Sequence, residues 1–169
     1  MTPEQLKASI LKYAMQGKLV EQRAEEGTAE ELYQRMQTDK QTLIREKKIK
    51  NEKPLADIID DEIPFDIPES WKWVKVGNVG SWSAGATPPR TNPAYYGGSI
   101  PWLKTGDLND GFIKEVPEYI TDLALEKTSV RLNPIGSVLM AMYGATIGKL
   151  GILEIPVTTN QACCACIPY

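Results

Sequence analysis

The chain has 169 residues, a net charge of −3, three cysteines and no histidine. Without histidine, Ser-His and Cys-His catalytic pairs and imidazole metal sites are excluded. The cysteines, Cys163, Cys164 and Cys166, lack the fourth ligand of a thiolate metal site, so we expect them to be reduced residues of a buried strand. No stretch is apolar and long enough to span a bilayer, and the charged N-terminus lacks a secretory apolar run. These features favour a cytoplasmic protein without membrane contact.

Residues 1–50 are predicted to form two helices. Thr2 begins a capping box with Pro3 at the first helical position, and this helix should run to about Leu19. Thr28 begins a second capping box, and the second helix should end near Lys48. We expect an antiparallel helical hairpin that docks on another chain or on the following domain. The apolar positions expected to bind a partner are Leu6, Ile10, Tyr13, Leu32 and Met36.

Residues 51–70 are acidic and contain three prolines, which indicates an extended linker that crosses a domain surface. Residues 71–169 alternate strand-like pieces with glycine turns, and Asp110-Gly111 is typical of a tight turn between two such pieces. A short helix is predicted from Thr121 to Thr128. The fold class is therefore α/β in the broad sense (α+β), with a helical hairpin followed by a mostly β, loop-rich domain. The predicted strands are Val79–Trp82, Ile100–Lys104, Gly111–Lys114, Val138–Met142, Leu150–Ile155 and Ala162–Ile167.

The segment from Thr87 to Asn109 is rich in Pro, Gly, Asn and Thr, so its backbone should consist of loops. It nevertheless contains aromatic rings, an arginine and a lysine. Rings interleaved with a guanidinium and amides suit a flat, hydrogen-bonding and anionic ligand, and nucleic acid fits that description. The alternative is that the rings pack the underside of the loop onto its own core, and composition alone favours this alternative.

Two motifs resemble catalytic loops but depart from them. Asn92-Pro93-Ala94-Tyr95 is similar to the base-holding loop of amino-methyltransferases, but its third residue differs and no glycine-rich cofactor strand precedes it. Residues 144–149 lack the spacing and the Ser/Thr of a phosphate loop, which favours a glycine turn joining two strands. We therefore predict turns at both places and no catalytic residue.

Three segments together resemble the specificity (S) subunits of type I restriction-modification enzymes. They are residues 6–20 with their Gly-Lys-Leu ending, residues 67–77 around Trp71 and Trp73, and the run 85–108 continued by 140–149 and 159–163. The resemblance implies a non-catalytic subunit whose recognition domain reads one half of a bipartite double-stranded DNA site. Its helices would form a coiled-coil-like spacer and dock the methyltransferase (M) subunits, which carry S-adenosylmethionine, and a restriction (R) subunit would complete the assembly.

This resemblance turns the loop segment into a predicted DNA face. Arg90 is the best candidate for a bidentate guanine contact, and the amides Asn160 and Gln161 suit adenine. The full set of predicted DNA-binding residues is Thr87, Arg90, Asn92, Tyr95, Tyr96, Lys104, Thr105, Tyr143, Thr146, Lys149, Asn160 and Gln161.

The chain departs from the family pattern by its length, because it holds one helical region and one recognition domain. We expect the domain at 71–169 to lack its C-terminal part, or the chain to be a half-size S subunit that forms a homodimer. A competing hypothesis is a truncated subunit that acts only as a protein-interaction module. A third, a small methyltransferase using Asn92–Tyr95, predicts that the isolated chain binds S-adenosylmethionine.

Overall fold

The computed structural model describes residues 1–169 and divides them into two compact units. One unit comprises residues 1–79 with Tyr169, and the other comprises residues 80–168. The protein is a mixture of helix and sheet, with the long helices in the first unit and the strands in the second. None of its helices has the length and apolar character needed to cross a membrane.

The first unit contains helix α1 (Pro3–Met15) and helix α2 (Ala29–Arg45). Both predicted capping boxes form, with the Thr2 hydroxyl accepting from the Gln5 backbone N–H at 3.3 Å and Thr28 making the matching bond. Each helix ends three or four residues earlier than predicted. At these ends Gly17 and Lys47 adopt left-handed backbone conformations (φ +65° and 58°). The next residues then donate back to the last helical turn, which is the Schellman arrangement that stops a helix.

The predicted antiparallel hairpin is not confirmed, because α1 and α2 make no extended contact along one another. Residues 51–70, the predicted linker, have no helix or strand apart from the 3-10 turn Asp60–Glu62, and part of this segment packs on the helices. A Cβ on Gly17 would lie 2.4 Å from the Pro68 ring, and Pro64 and Phe65 line a groove of about 480 Å³ beside α1. On α2, the Ala29 backbone N–H donates to the Ser70 carbonyl at 2.8 Å.

The second unit contains two sheets and a short helix. The five-stranded sheet has the order β1-β8-β5-β6-β3, and the three-stranded sheet has the order β4-β2-β7. Pairing is antiparallel except between β3 and β6 and between β2 and β7. The elements are β1 (Gly80–Ala84), β2 (Tyr96–Leu103), β3 (Gly111–Ile113), β4 (Tyr119–Ile120), α3 (Asp122–Lys127), β5 (Val138–Ala141), β6 (Leu150–Leu153), β7 (Thr158–Thr159) and β8 (Cys163–Pro168).

All six predicted strands and the predicted short helix are present within a few residues of their expected bounds. Asp110 adopts the left-handed conformation expected of a tight turn (φ 61°), but this turn does not join a hairpin, because β2 and β3 belong to different sheets. The cysteine strand is confirmed: β8 lies between β1 and β5, and Cys163 is fully buried.

The second unit has two apolar cores. The larger one packs beneath the five-stranded sheet and includes Leu103, Leu139, Leu153 and Cys163. The smaller one includes Trp102, with Ile120, Ala124 and Val130 packed around it. Because Trp102 and Leu103 are neighbours on β2 and point to opposite faces, β2 connects the two cores.

Candidate nucleic-acid interface

Four loops meet at one edge of the five-stranded sheet, which we call the loop edge (residues 85–90, 104–110, 142–149 and 160–162). Strands β1 and β5 end at this edge, and β3, β6 and β8 begin there, as the register pairs Ala84 with Cys164, Ala141 with Cys163 and Gly111 with Gly151 show. The strand directions alone therefore gather loops that are far apart in sequence.

The first of these loops is tied closely to the strands behind it. The Ala86 backbone N–H donates to the Thr159 carbonyl at 2.8 Å, and the Trp102 indole N–H donates to the Ala86 carbonyl at 3.1 Å. The Tyr96 hydroxyl donates to the carbonyl of Pro88, which is itself buried. A Cβ on Gly85 would lie 2.2 Å from the Thr159 carbonyl oxygen, so this close approach requires glycine. The loop is held in one position as a result.

A charged and aromatic group that we call the Glu118 cluster occupies this region (Arg90, Tyr96, Trp102, Lys104 and Glu118). The Arg90 guanidinium forms an ion pair with one Glu118 carboxylate oxygen, and Lys104 Nζ lies 2.9 Å from the other. The guanidinium carbon also lies 4.2 Å from the Tyr96 ring centroid and 5.1 Å from that of Trp102. Both cationic side chains stay accessible, at 52% exposure for Arg90 and 43% for Lys104.

The electrostatics of the cluster follow from these contacts. The hydrogen bond from Arg90 lowers the pKa of Glu118 to about 2, with Lys104 acting in the same direction and burial opposing both. The same hydrogen bond raises the pKa of Arg90, while burial raises the pKa of Tyr96. The carboxylate is therefore ionised near neutral pH, and the cluster carries one net positive charge.

The loop edge also brings Thr87 beside Gln161, since the Thr87 hydroxyl donates to the Gln161 side-chain oxygen. Both residues are exposed. The Asn160 side-chain oxygen is buried without a hydrogen-bond partner, while the Asn160 backbone N–H donates to the Leu103 carbonyl at 3.0 Å. A bidentate contact with adenine needs both amide atoms, so Asn160 would have to rotate in order to make one.

The turn between β5 and β6 is confirmed as a glycine turn, with Gly144 and Gly148 at φ +89° and +81°. It presents Tyr143, which is 51% exposed, together with the exposed Lys149 and the half-buried Thr146. Across the edge, Thr105 begins a single 3-10 turn that Asp107 caps by accepting from the Lys104 backbone N–H at 2.9 Å.

Three predicted residues lie outside the loop edge. Tyr96 packs against the core of Trp102 and contacts Arg90, whereas Asn92 and Tyr95 lie beside α3. Asn92 caps a 3-10 turn over Pro93–Tyr95 by accepting from the Ala94 backbone N–H at 3.2 Å, which confirms that this motif is a turn. Tyr95 is half-buried against the core of Trp102, so it takes the packing role that composition favoured. Contact between DNA and any of the twelve predicted residues stays a prediction.

Sequence reasoning missed Glu118. This residue is 28 positions from Arg90 and 14 from Lys104, in a segment with no motif. Its position depends on the pairing of β4 with β2, where the Trp102 backbone N–H donates to the Glu118 carbonyl at 2.9 Å. No local sequence signal indicates that a two-residue strand pairs with a strand far away in the sequence.

The structure thus defines a protein whose β domain presents exposed cations, amides and hydroxyls from several loops at one sheet edge. A family model described as the type I restriction modification DNA specificity domain matches residues 68–169. The chain therefore belongs to this family, and the match covers all the strands and the whole loop edge.

Curated relatives agree with this family. The chain is 39% identical over 98 residues to the specificity subunit of the type I restriction enzyme EcoEI of Escherichia coli, covering 54% of this chain and 16% of that protein. It is 45% identical over 74 residues to the EcoAI specificity subunit of Escherichia coli, covering 44% and 13%. It is 35% identical over 98 residues to the MjaIX specificity subunit of Methanocaldococcus jannaschii, covering 56% and 22%. The aligned part is thus less than a quarter of each of these relatives.

Solved structures align with the chain at lower sequence identity than these curated relatives do. The HsdS subunit from Thermoanaerobacter tengcongensis aligns with a TM-score of 0.47 and 19% identity, covering 82% of this chain and 32% of that chain. A chain from a structural study of complex assembly and conformational transition in the type I R-M system also aligns with a TM-score of 0.47, at 18% identity, covering 99% and 38%.

Proposed function

We propose that this chain is the DNA-recognition part of a type I restriction-modification specificity subunit. Its loop edge would read one half-site of a bipartite double-stranded DNA target, and other subunits would perform the chemistry. The observation that supports this most directly is the Glu118 cluster. It places an exposed arginine, in contact with the Tyr96 ring and paired with Glu118, on the edge where three further loops converge, within the region that the family model matches.

The chemistry of this edge suits base readout better than attraction to phosphate alone. The protein is acidic overall, so non-specific binding through a large basic surface is not its main means of holding DNA. Arg90 offers donors for the acceptor edge of guanine, and Gln161 and Thr87 offer mixed donors and acceptors. Partner subunits would then supply most phosphate contacts.

The helical unit supports docking of methyltransferase subunits. Leu6, Ile10, Tyr13 and Leu32 are all 45–53% exposed, and Met36 is half-buried. Large apolar side chains exposed along helices are typical of surfaces that another chain covers. S-adenosylmethionine would bind to those methyltransferase subunits and not to this chain, and the restriction subunit would join the same assembly.

The test replaces Arg90 by alanine in the complex of this chain with its methyltransferase subunits. We expect Arg90→Ala to lower discrimination between the bound sequence and random duplex DNA by about 1–3 kcal/mol, because a bidentate base contact is lost. Fluorescence anisotropy over a range of salt concentrations measures the affinities, and sequencing of methylated sites measures the preference.

Arg131→Ala is the matched control. Arg131 is an exposed arginine of the same unit on the loop that leads to the beginning of β5, which is the opposite edge of the sheet. The complex with Arg131→Ala should distinguish the bound sequence from random duplex DNA as well as the unsubstituted complex does. A complex without salt-sensitive DNA binding would instead identify a protein-interaction module, and binding of S-adenosylmethionine by the isolated chain would identify a methyltransferase.

A further inference from the structure

Two of the proposed DNA-contacting cations share a single carboxylate. One oxygen of Glu118 accepts from Arg90 Nη1, and the other lies 2.9 Å from Lys104 Nζ. The Glu118 side chain is 24% exposed, and its backbone carbonyl accepts from Trp102 at 2.9 Å in the pairing of β4 with β2. The carboxylate is therefore anchored to a strand, whereas the two cations extend from loops and strand ends towards solvent.

Arg90 is held on a second side by aromatic rings. Its guanidinium lies 4.2 Å from the Tyr96 ring centroid and 5.1 Å from that of Trp102, and these rings meet edge to face with their centroids 6.1 Å apart. Both rings are fixed by hydrogen bonds to the loop that carries Arg90, through the carbonyls of Pro88 and Ala86. The guanidinium is thus held in place by contacts with both rings and by its ion pair with Glu118.

The ion pair leaves part of the guanidinium available. An arginine has five N–H donors in a rigid planar fork, and Glu118 engages it through Nη1. The Nη2 and Nε side of the fork is a bidentate donor pair of the kind that meets two acceptors on a base edge.

We propose that Glu118 is a positioning residue for sequence discrimination. Its ion pair orients Arg90 so that Nη2 and Nε can donate to the two acceptors on the edge of a guanine base. This inference rests on the proposed function. Glu118 also cancels part of the positive charge at the loop edge, so it weakens attraction to the phosphates of every sequence. Its two effects have opposite signs: affinity for random duplex DNA is lowered, and selectivity is raised.

The test uses Glu118→Gln in the complex of the full chain with its methyltransferase subunits. The bound sequence is obtained by enrichment of the unsubstituted complex on a random-sequence duplex pool, and anisotropy then compares that sequence with random duplex. We expect affinity for random duplex to rise about threefold, because one negative charge is lost. Discrimination between the bound sequence and random duplex should fall about tenfold, because Glu118 no longer orients Arg90.

Glu154→Gln is the matched control. It removes the same charge from an exposed pair with Lys114, in which the two charged atoms are 3.6 Å apart. Discrimination by this control should equal that of the unsubstituted chain. Glu118→Asp separates the two effects, because it keeps the charge but is too short to reach both cations. We expect it to lose discrimination without gaining affinity for random duplex.

A double-substitution cycle tests whether Glu118 acts through Arg90. The double variant Arg90→Ala with Glu118→Gln should discriminate as Arg90→Ala alone does, since the guanidinium that Glu118 positions is already absent. Additive losses would overturn the inference, as would a uniform gain in affinity with unchanged discrimination. An unsubstituted complex without sequence preference would overturn the proposed function itself. If Glu118→Gln and Glu118→Asp both kept the full sequence preference, the positioning role of Glu118 would be overturned while the proposed function stood.

Discussion

The acid stability of the chain should depend on Glu118 in a way that Glu118→Gln reveals. The pKa of this carboxyl lies at about 2 in the folded protein, below the ordinary value of 4.5. A group whose pKa is depressed by folding stabilises the folded state above its unfolded pKa, and this contribution is lost as the pH falls through the folded pKa. Glutamine resembles the protonated acid in shape and charge, so the substitution removes the contribution at every pH.

The magnitude follows from the same shift. Lowering the pKa from 4.5 to about 2 would be worth about 3 kcal/mol if the ion pairs were shielded from water. The side chains of Arg90 and Lys104 are 52% and 43% exposed, so solvent screening reduces this to about 1–2 kcal/mol at neutral pH. By about pH 3 less than half of that difference should remain, because the unfolded chain takes up the proton at a higher pH than the folded protein does and is then almost fully protonated.

Urea unfolding followed by tryptophan fluorescence measures this difference at each pH for the unsubstituted chain and for Glu118→Gln. The control Glu154→Gln removes an exposed carboxylate and should change the free energy of unfolding by less than about 0.5 kcal/mol throughout. A difference between the unsubstituted chain and Glu118→Gln that stayed constant from neutral pH to about pH 3 would show that the ion pairs do not stabilise the fold and that the reasoning is wrong.

Two further predictions concern the packing behind the loop edge. Gly85→Ala should lower the free energy of unfolding by about 3 kcal/mol, since its Cβ would lie 2.2 Å from the Thr159 carbonyl oxygen. Gly106→Ala, which meets nothing within 4 Å, should change it by less than about 0.5 kcal/mol, and equal melting temperatures for the two variants would contradict the close approach. Burial raises the pKa of Cys163 to about 12, so native protein at mildly alkaline pH should leave this thiol unmodified by iodoacetamide. Mass spectrometry should find it alkylated only after unfolding, and rapid labelling of the native chain would show that β8 opens.

Local structure was predictable from the sequence wherever a short motif determines it. The capping boxes at Thr2 and Thr28, the helix after Thr121 and the glycine turn at 144–149 all depend on residues within one turn of each other. Helix α1 ends earlier than the pattern predicts, because Gly17 fits the helical spacing but adopts a left-handed conformation. The left-handed Lys47 gave no composition signal at all.

Long-range structure was predictable only in part. Strands β4 and β7 have two residues each, which is too short for an alternating pattern to show, and β4 positions Glu118. Two amphipathic helices in close succession predict a hairpin, yet prolines and aromatics of residues 51–71 pack against α1 and its C-terminal end. The sequence therefore predicted which residue types would gather at the candidate site, but not the carboxylate that organises two of them.

The loop edge has a consequence for how such a domain can diversify. Its four loops are attached to strands whose inward side chains build the two cores, while Thr87, Tyr143, Lys149 and Gln161 are exposed and belong to neither core. Exchanging these exposed side chains leaves the strand ladders and the buried apolar surface intact, so under the proposed function stability and DNA preference would vary almost independently. Under that function, new DNA preferences would be accessible through single substitutions that leave both cores intact.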